Sequence, residues 1–116
     1  MSDAAVDSTS LCHKIRFAEE PDNPDLLHRW LSLFETSKQL SSQERWRTLL
    51  IQHQLLIATL SDTRLPLSWR CHCLENIYLP LREMAQMAQS ERERHETRRL
   101  YFETRMVTLC CMPQRH

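Results

Sequence analysis

The chain has 116 residues, a formal net charge of zero and no glycine. At an ordinary glycine usage of about 7%, such an absence is improbable by chance. It removes phosphate-cradling loops, dinucleotide fingerprints, nucleophile elbows and Asn-Gly hairpins, and with them most nucleotide-dependent and hydrolytic enzymes and most all-β folds.

The charge is unevenly placed. Residues 1–25 carry six acids against Lys14 and Arg16, a net −4, so residues 26–116 carry +4. Residues 1–22 are polar and acidic without helical periodicity, which reads as a flexible, mostly disordered acidic arm. Asn23-Pro24 then resembles an N-cap followed by Pro at the first helical position. A helix is expected from Pro24 to about Lys38, turning Leu26, Leu27, Trp30, Leu31, Leu33 and Phe34 toward a core. Ser41-Ser42-Gln43-Glu44 is a capping-box pattern that opens a second helix. Along it Trp46, Leu49, Leu50, His53, Leu56, Ile57 and Leu60 follow the strongest helical period in the chain. His53, on that apolar face, reads as a semi-buried side chain in preference to a ligand or pH switch.

Ser61 to Leu65 forms a loop, because Pro66 biases the residue before it away from helix. A third helix is expected over Pro66–Leu79, with Leu67, Trp69, Cys73, Leu74, Ile77 and Tyr78 as core, and Pro80 should break or kink it. The stretch from Pro80 to Met112 predicts the longest helix, about 45 Å if continuous. Its apolar residues form two patches, one from Leu81 to Ala88 and one from Leu100 to Cys110, separated by the polar run Ser90–Arg99. Ser90-Glu91-Arg92-Glu93 is a second capping box, so the alternative is a helix that restarts at Ser90 and folds back as a fourth bundle member.

In the arm, His13-Lys14-Ile15-Arg16-Phe17-Ala18-Glu19-Glu20 resembles the RVxF-type docking motif of regulators of the type-1 Ser/Thr protein phosphatase. The resemblance covers eight residues. It implies that the segment adds as a strand to a sheet edge, with Ile15 and Phe17 entering apolar pockets and Lys14 meeting an acidic rim. The competing reading packs Ile15 and Phe17 on the bundle as a strap. Five cysteines, an odd number, read as reduced thiols. Cys71 and Cys73 sit two apart on a helix and point away from one another, so neither they nor Cys110-Cys111 supply a zinc spacing. No metal, cofactor or catalytic constellation is expected. In the last helix, Arg92, Arg94, Arg98, Arg99 and Arg105 form a candidate nucleic-acid face, with Arg82 upstream. Five Glu interleave with these six Arg, with Glu96–Arg99 and Arg99–Glu103 as local partners, and cancel most of the field.

The expected protein is all-α: a small antiparallel bundle of three to four helices with a long C-terminal helix. The arm occupies residues 1–22, the bundle 23–112 and a tail 113–116. The expected function is that of a non-enzymatic adaptor or regulatory subunit. Its partner is another protein, a phosphatase included, or a second copy, met through Leu100, Phe102, Met106 and Leu109; the alternative is a nucleic-acid-binding helical protein. No run approaches the length of a membrane span, and the acidic start is unlike a mitochondrial presequence, so a cytoplasmic or nuclear location is expected.

Overall fold

The computed structural model describes the backbone of residues 3–35 and 40–113, and side chains from residue 9 onward except those of 34 and 35. The described chain is helical throughout, with α1 Asp3–Arg16, α2 Asp25–Glu35, α3 Ser42–Leu60, α4 Leu67–Met87 and α5 Glu91–Cys111. Their Cα atoms fill a slab of 41 × 38 × 16 Å. At helix spacings of about 8–10 Å, that thickness admits two layers, so every helix keeps a side toward solvent.

Both serines of the capping-box patterns cap their helices, though in neither does the glutamate accept the serine's own N–H. The Glu44 N–H donates to Ser41 Oγ at 3.2 Å and starts α3. At α5, the Glu93 N–H donates to Ser90 Oγ at 3.1 Å, while Glu93 Oε1 accepts the Gln89 N–H at 2.9 Å. The chain at Ala88 and Ser90 is extended, so of the two readings the continuous helix from Pro80 to Met112 is excluded. The helix restarts at Ser90 and folds back, antiparallel to α4 and parallel to α3. Ahead of it, α4 runs through Pro80, where the sequence predicts a break or kink. Proline costs this helix one N–H, the partner of the Asn76 carbonyl. The turns on both sides of Pro80 are held by burial, Cys73 and Ile77 before it and Leu81 and Met84 after it. Packing along the whole helix outweighs one lost bond.

The arm likewise departs from its reading. α1 occupies residues 3–16 of it and buries Leu11, Ile15 and, just beyond its end, Ala18. These lie at i, i+4 and i+7, a helical stripe too short to stand out in an acidic segment. The basic residues His13, Lys14 and Arg16 stand in its last turn, where the helix dipole favours positive charge. The chain then reverses at Ala18, whose φ of 51° is left-handed. The Glu19 N–H closes a six-residue ring onto the Lys14 carbonyl at 3.0 Å, the arrangement that glycine usually serves and that this glycine-free chain gives to alanine. Side chains hold the reversal: Lys14 Nζ meets Glu20 at 2.9 Å, His13 meets Glu19, and Arg16 reaches Asp62 in the α3–α4 loop at 2.9 Å. Arg64 and Arg16 together hold the Asp62 carboxyl well below the usual carboxylate range.

α2 begins at Asp25. The Asn23 side chain donates to Glu20 at 3.3 Å, while the Asn23 carbonyl accepts the Leu26 N–H at 3.2 Å. Leu26, Leu27 and Trp30 are buried, and Leu31 and Leu33 half-buried. The expected core position at Phe34, the expected extension of this helix over 36–38 and most of the tail (114–116) lie outside the described side chains and residues. In α4, Leu67 and Tyr78 are exposed, not core.

The apolar interior has two parts. Leu11, Ile15, Leu27, Trp30, Leu56, Trp69 and Ile77 join α1, α2, α3 and α4. Leu49, Leu81, Met84 and Leu100 join α3, α4 and α5. Two polar side chains pin the helices to one another. The Trp69 indole N–H donates to the Ile15 carbonyl at 2.9 Å, fixing the end of α1 on α4. Arg70, buried, donates from Nε to the Leu60 carbonyl at 3.0 Å and from its guanidinium fork to the Cys111 carbonyl. One cation thus satisfies the carboxyl ends of α3 and α5, where the helix dipoles favour positive charge.

Two outcomes follow from this packing. Ile15→Ala should lower the unfolding free energy in urea by about 2–5 kcal/mol, whereas Phe17→Ala should change it by under about 1 kcal/mol. Arg70→Lys cannot span both carbonyls, and hydrogen exchange should show protection lost in the last turns of α3 and α5 while α1 and α2 keep theirs.

Candidate interaction surface

α5 is built inside out. Its buried side chains are Thr97, Leu100 and Thr104, two hydroxyls and one leucine. Each of the threonines facing the bundle returns its hydroxyl to its own helix: Thr97 to the Arg94 carbonyl at 2.8 Å, Thr104 to Leu100 at 2.8 Å and Thr108 to Thr104 at 2.7 Å. They therefore pack through their methyl groups without an unpaired donor. The larger apolar residues point the other way. Phe102 is 66% exposed, Leu109 51% and Met106 42%, against 2% for Leu100.

The predicted four-residue patch is thus divided. Leu100 belongs to the core with Leu49, Leu81 and Met84, and Phe102, Met106 and Leu109 stay on the surface. Successive helical residues turn by about 100°, so Phe102 and Leu109 lie within about 60° of Arg98 and Arg105 and roughly opposite Leu100. Tyr101 continues this surface toward α4, where its ring stacks on Tyr78 with centroids 6.2 Å apart.

The arginines sort by their neighbours. Arg94 pairs with Glu91 at 2.7 Å, and Arg99 with Glu96 at 2.7 Å and Glu103 at 3.7 Å. Arg98 and Arg105 make no ion pair or hydrogen bond among the described residues. Arg92 sits apart, in an open cleft of about 600 Å³ between the amino ends of α3 and α5, beside Trp46, Arg47 and Glu96. The five arginines of the candidate nucleic-acid face therefore do not form one stripe. Between Arg98 and Leu109 there are three arginines and one acid, a net +2, and that acid, Glu103, is already paired.

The docking-type motif in the former arm is disposed otherwise. Ile15 is fully buried, Lys14 is half-buried in its pair with Glu20, and Phe17 is exposed beside the His13 ring and the Arg16 guanidinium, the latter 5.2 Å from the ring centre. Ile15 and Phe17 lie at the end of a helix and do not alternate along a strand.

Burial pushes the Cys73 thiol up to about 12, which leaves it unreactive. A second open cleft, of about 220 Å³, lies between α2, α3 and α4 and is lined by His28, Leu31, Leu49, Leu79, Pro80 and Arg82. Among the described residues no three His, Cys, Asp or Glu side chains converge as metal ligands would, and no helix is long and apolar enough to cross a membrane.

His53 couples α5 to the bundle. It is fully buried, and its Nε2 lies 2.8 Å from Thr104 Oγ1. The Thr104 hydroxyl gives its proton to the Leu100 carbonyl, so Nε2 carries the hydrogen and Thr104 accepts. Nδ1 is left buried without a partner among the described residues. Burial first, and the Arg99 charge second, bring the His53 pKa down to about 4 from the ordinary 6.5. The folded protein therefore resists a proton that the unfolded chain accepts. Stability is full above pH 6.5 and falls with pH between 6.5 and 4. From pH 7.5 to 5 the loss should be roughly 2 kcal/mol, read from urea midpoints, and His53→Leu should flatten that slope. No family model, no curated protein and no solved structure matches the chain.

Proposed function

We propose that the protein is a non-enzymatic adaptor or regulatory subunit that holds a partner on the solvent face of α5. A single observation carries this reading: α5 buries threonines and displays Phe102, Met106 and Leu109. A helix selected only to complete its own bundle would carry its largest apolar side chains inward. An aromatic, a methionine and open arginines gathered on one face, without lysine, match the composition of protein interfaces.

Magnitude bears on the partner. Burying the exposed fractions of Phe102, Leu109 and Met106 offers about 3–4 kcal/mol, and association costs about 4–15 kcal/mol in lost freedom. The stripe alone does not hold a partner, so charge or further contacts must contribute. In a symmetric pair of copies the open arginines of one face meet those of the other, which disfavours self-association. The phosphatase-docking alternative has weaker support, because presenting Ile15 would require α1 to leave the core. The nucleic-acid alternative keeps the two open arginines, but the Glu residues of α5 reduce the field a polyanion would feel. A cytoplasmic or nuclear place of work accords with reduced cysteines and belongs to the same proposal.

Phe102→Asp should leave the circular dichroism unchanged and the unfolding free energy in urea within about 0.5 kcal/mol of the wild type, while partners captured by full-length protein from cells are lost. Global unfolding of that variant, or an unchanged partner set, would count against the α5 face.

A further inference from the structure

The partner's chemistry is written in the rim of the stripe. Arg98 and Arg105 flank Phe102 and Leu109 on one edge, one helical turn from Phe102 on either side; neither makes an ion pair or hydrogen bond among the described residues, and Arg98 feels only the more distant charge of Glu91. Their neighbours Arg94 and Arg99 are neutralised by glutamates of the same helix. The helix is thus divided: residues 90–97 carry three Glu against two Arg, and residues 98–109 carry three Arg against one Glu. The same half that presents the apolar side chains presents the net positive charge.

We infer that this face docks an acidic amphipathic segment of another protein, whose apolar side chains cover Phe102, Met106 and Leu109 while its carboxylates meet Arg98 and Arg105. The inference rests on the proposed function and adds the partner's class. An arginine fork donates two parallel hydrogen bonds to a carboxylate, and its planar guanidinium also lies against an aromatic ring, so each rim residue serves both parts of such a ligand. A neutral apolar partner would leave two guanidinium groups covered without acceptors, a costly arrangement at an interface. A second copy would bring like charge. A nucleic-acid strand would satisfy the arginines but leave Met106 and Leu109 against sugar and phosphate.

The test places a photo-crosslinking p-benzoylphenylalanine at Phe102 of the full-length chain in cells, with a control at Gln54, an exposed position on α3. Cross-linked species are resolved by mass spectrometry to the peptide. The expected product joins residue 102 to a peptide of another protein that has apolar residues at helical spacing and Asp or Glu beside them. Its yield should fall about tenfold in Arg98→Glu/Arg105→Glu, in keeping with the loss of charge pairs at a rim, and should survive in part in Arg98→Lys/Arg105→Lys. Circular dichroism of each variant should match the wild type. Cross-links to RNA, to a second copy, or to segments without acids would overturn the inference, as would a yield indifferent to charge reversal. All of these leave the α5 face standing as an interface. Equal labelling from positions 102 and 54 would overturn both.

Discussion

Arg70 is the residue on which the arrangement turns. It is a buried cation without a carboxylate partner among the described residues, compensated by the carbonyls at the ends of α3 and α5. A helix end buried without partners leaves carbonyls unpaired, and an arginine buried without acceptors is costlier still. Each problem resolves the other only if α3, α4 and α5 meet at one place. The antiparallel return of α5 along α4 is therefore tied down at its far end, while the Ser90 cap defines its near end.

Between those two points α5 adheres weakly. It contributes one leucine and a row of self-satisfied threonines to the interior, and a buried histidine bonds it to α3 through Thr104. The lean inner face and the apolar outer face are two aspects of one sequence choice. A helix that buried Phe102 and Leu109 would pack more firmly and have nothing left to present. This helix keeps enough contact to be held in place by hydrogen bonds and capping, and reserves its larger side chains for solvent. On the α3 side of the seam, His53 Nδ1 is buried without a partner among the described residues and makes that attachment sensitive to acid, because the imidazole cannot charge without disturbing the seam.

The amino-terminal helix is the reverse case. α1 is short and acidic at its start, yet its last turn is held by Trp69, by Asp62 and by a left-handed alanine. Ile15 lies under all of these. The eight residues around it resemble a docking peptide in one dimension and act as the closing edge of a core in three.

Local signals determined much of the protein. The serine caps at Ser41 and Ser90, the face running from Trp46 to Leu60, and the local pairs of Arg99 are each set by residues within a turn or two of one another, and each appears where the residues put it. The helical class follows from those periods together with the absence of glycine. Tertiary structure decided the rest. Pro80 sits inside a helix because Cys73, Ile77, Leu81 and Met84 bury the turns around it. Leu11, Ile15 and Ala18 become a helix face only because α2, α3 and α4 offer a place to bury it. Nothing within a turn of Arg70 marks it as a clamp, since its acceptors lie 10 and 41 positions away. The division of the last apolar patch, with Leu100 inside and Phe102 outside, was likewise settled by the direction in which α5 folds back. Helical period says which residues share a face, and only the neighbouring helices say which face is covered.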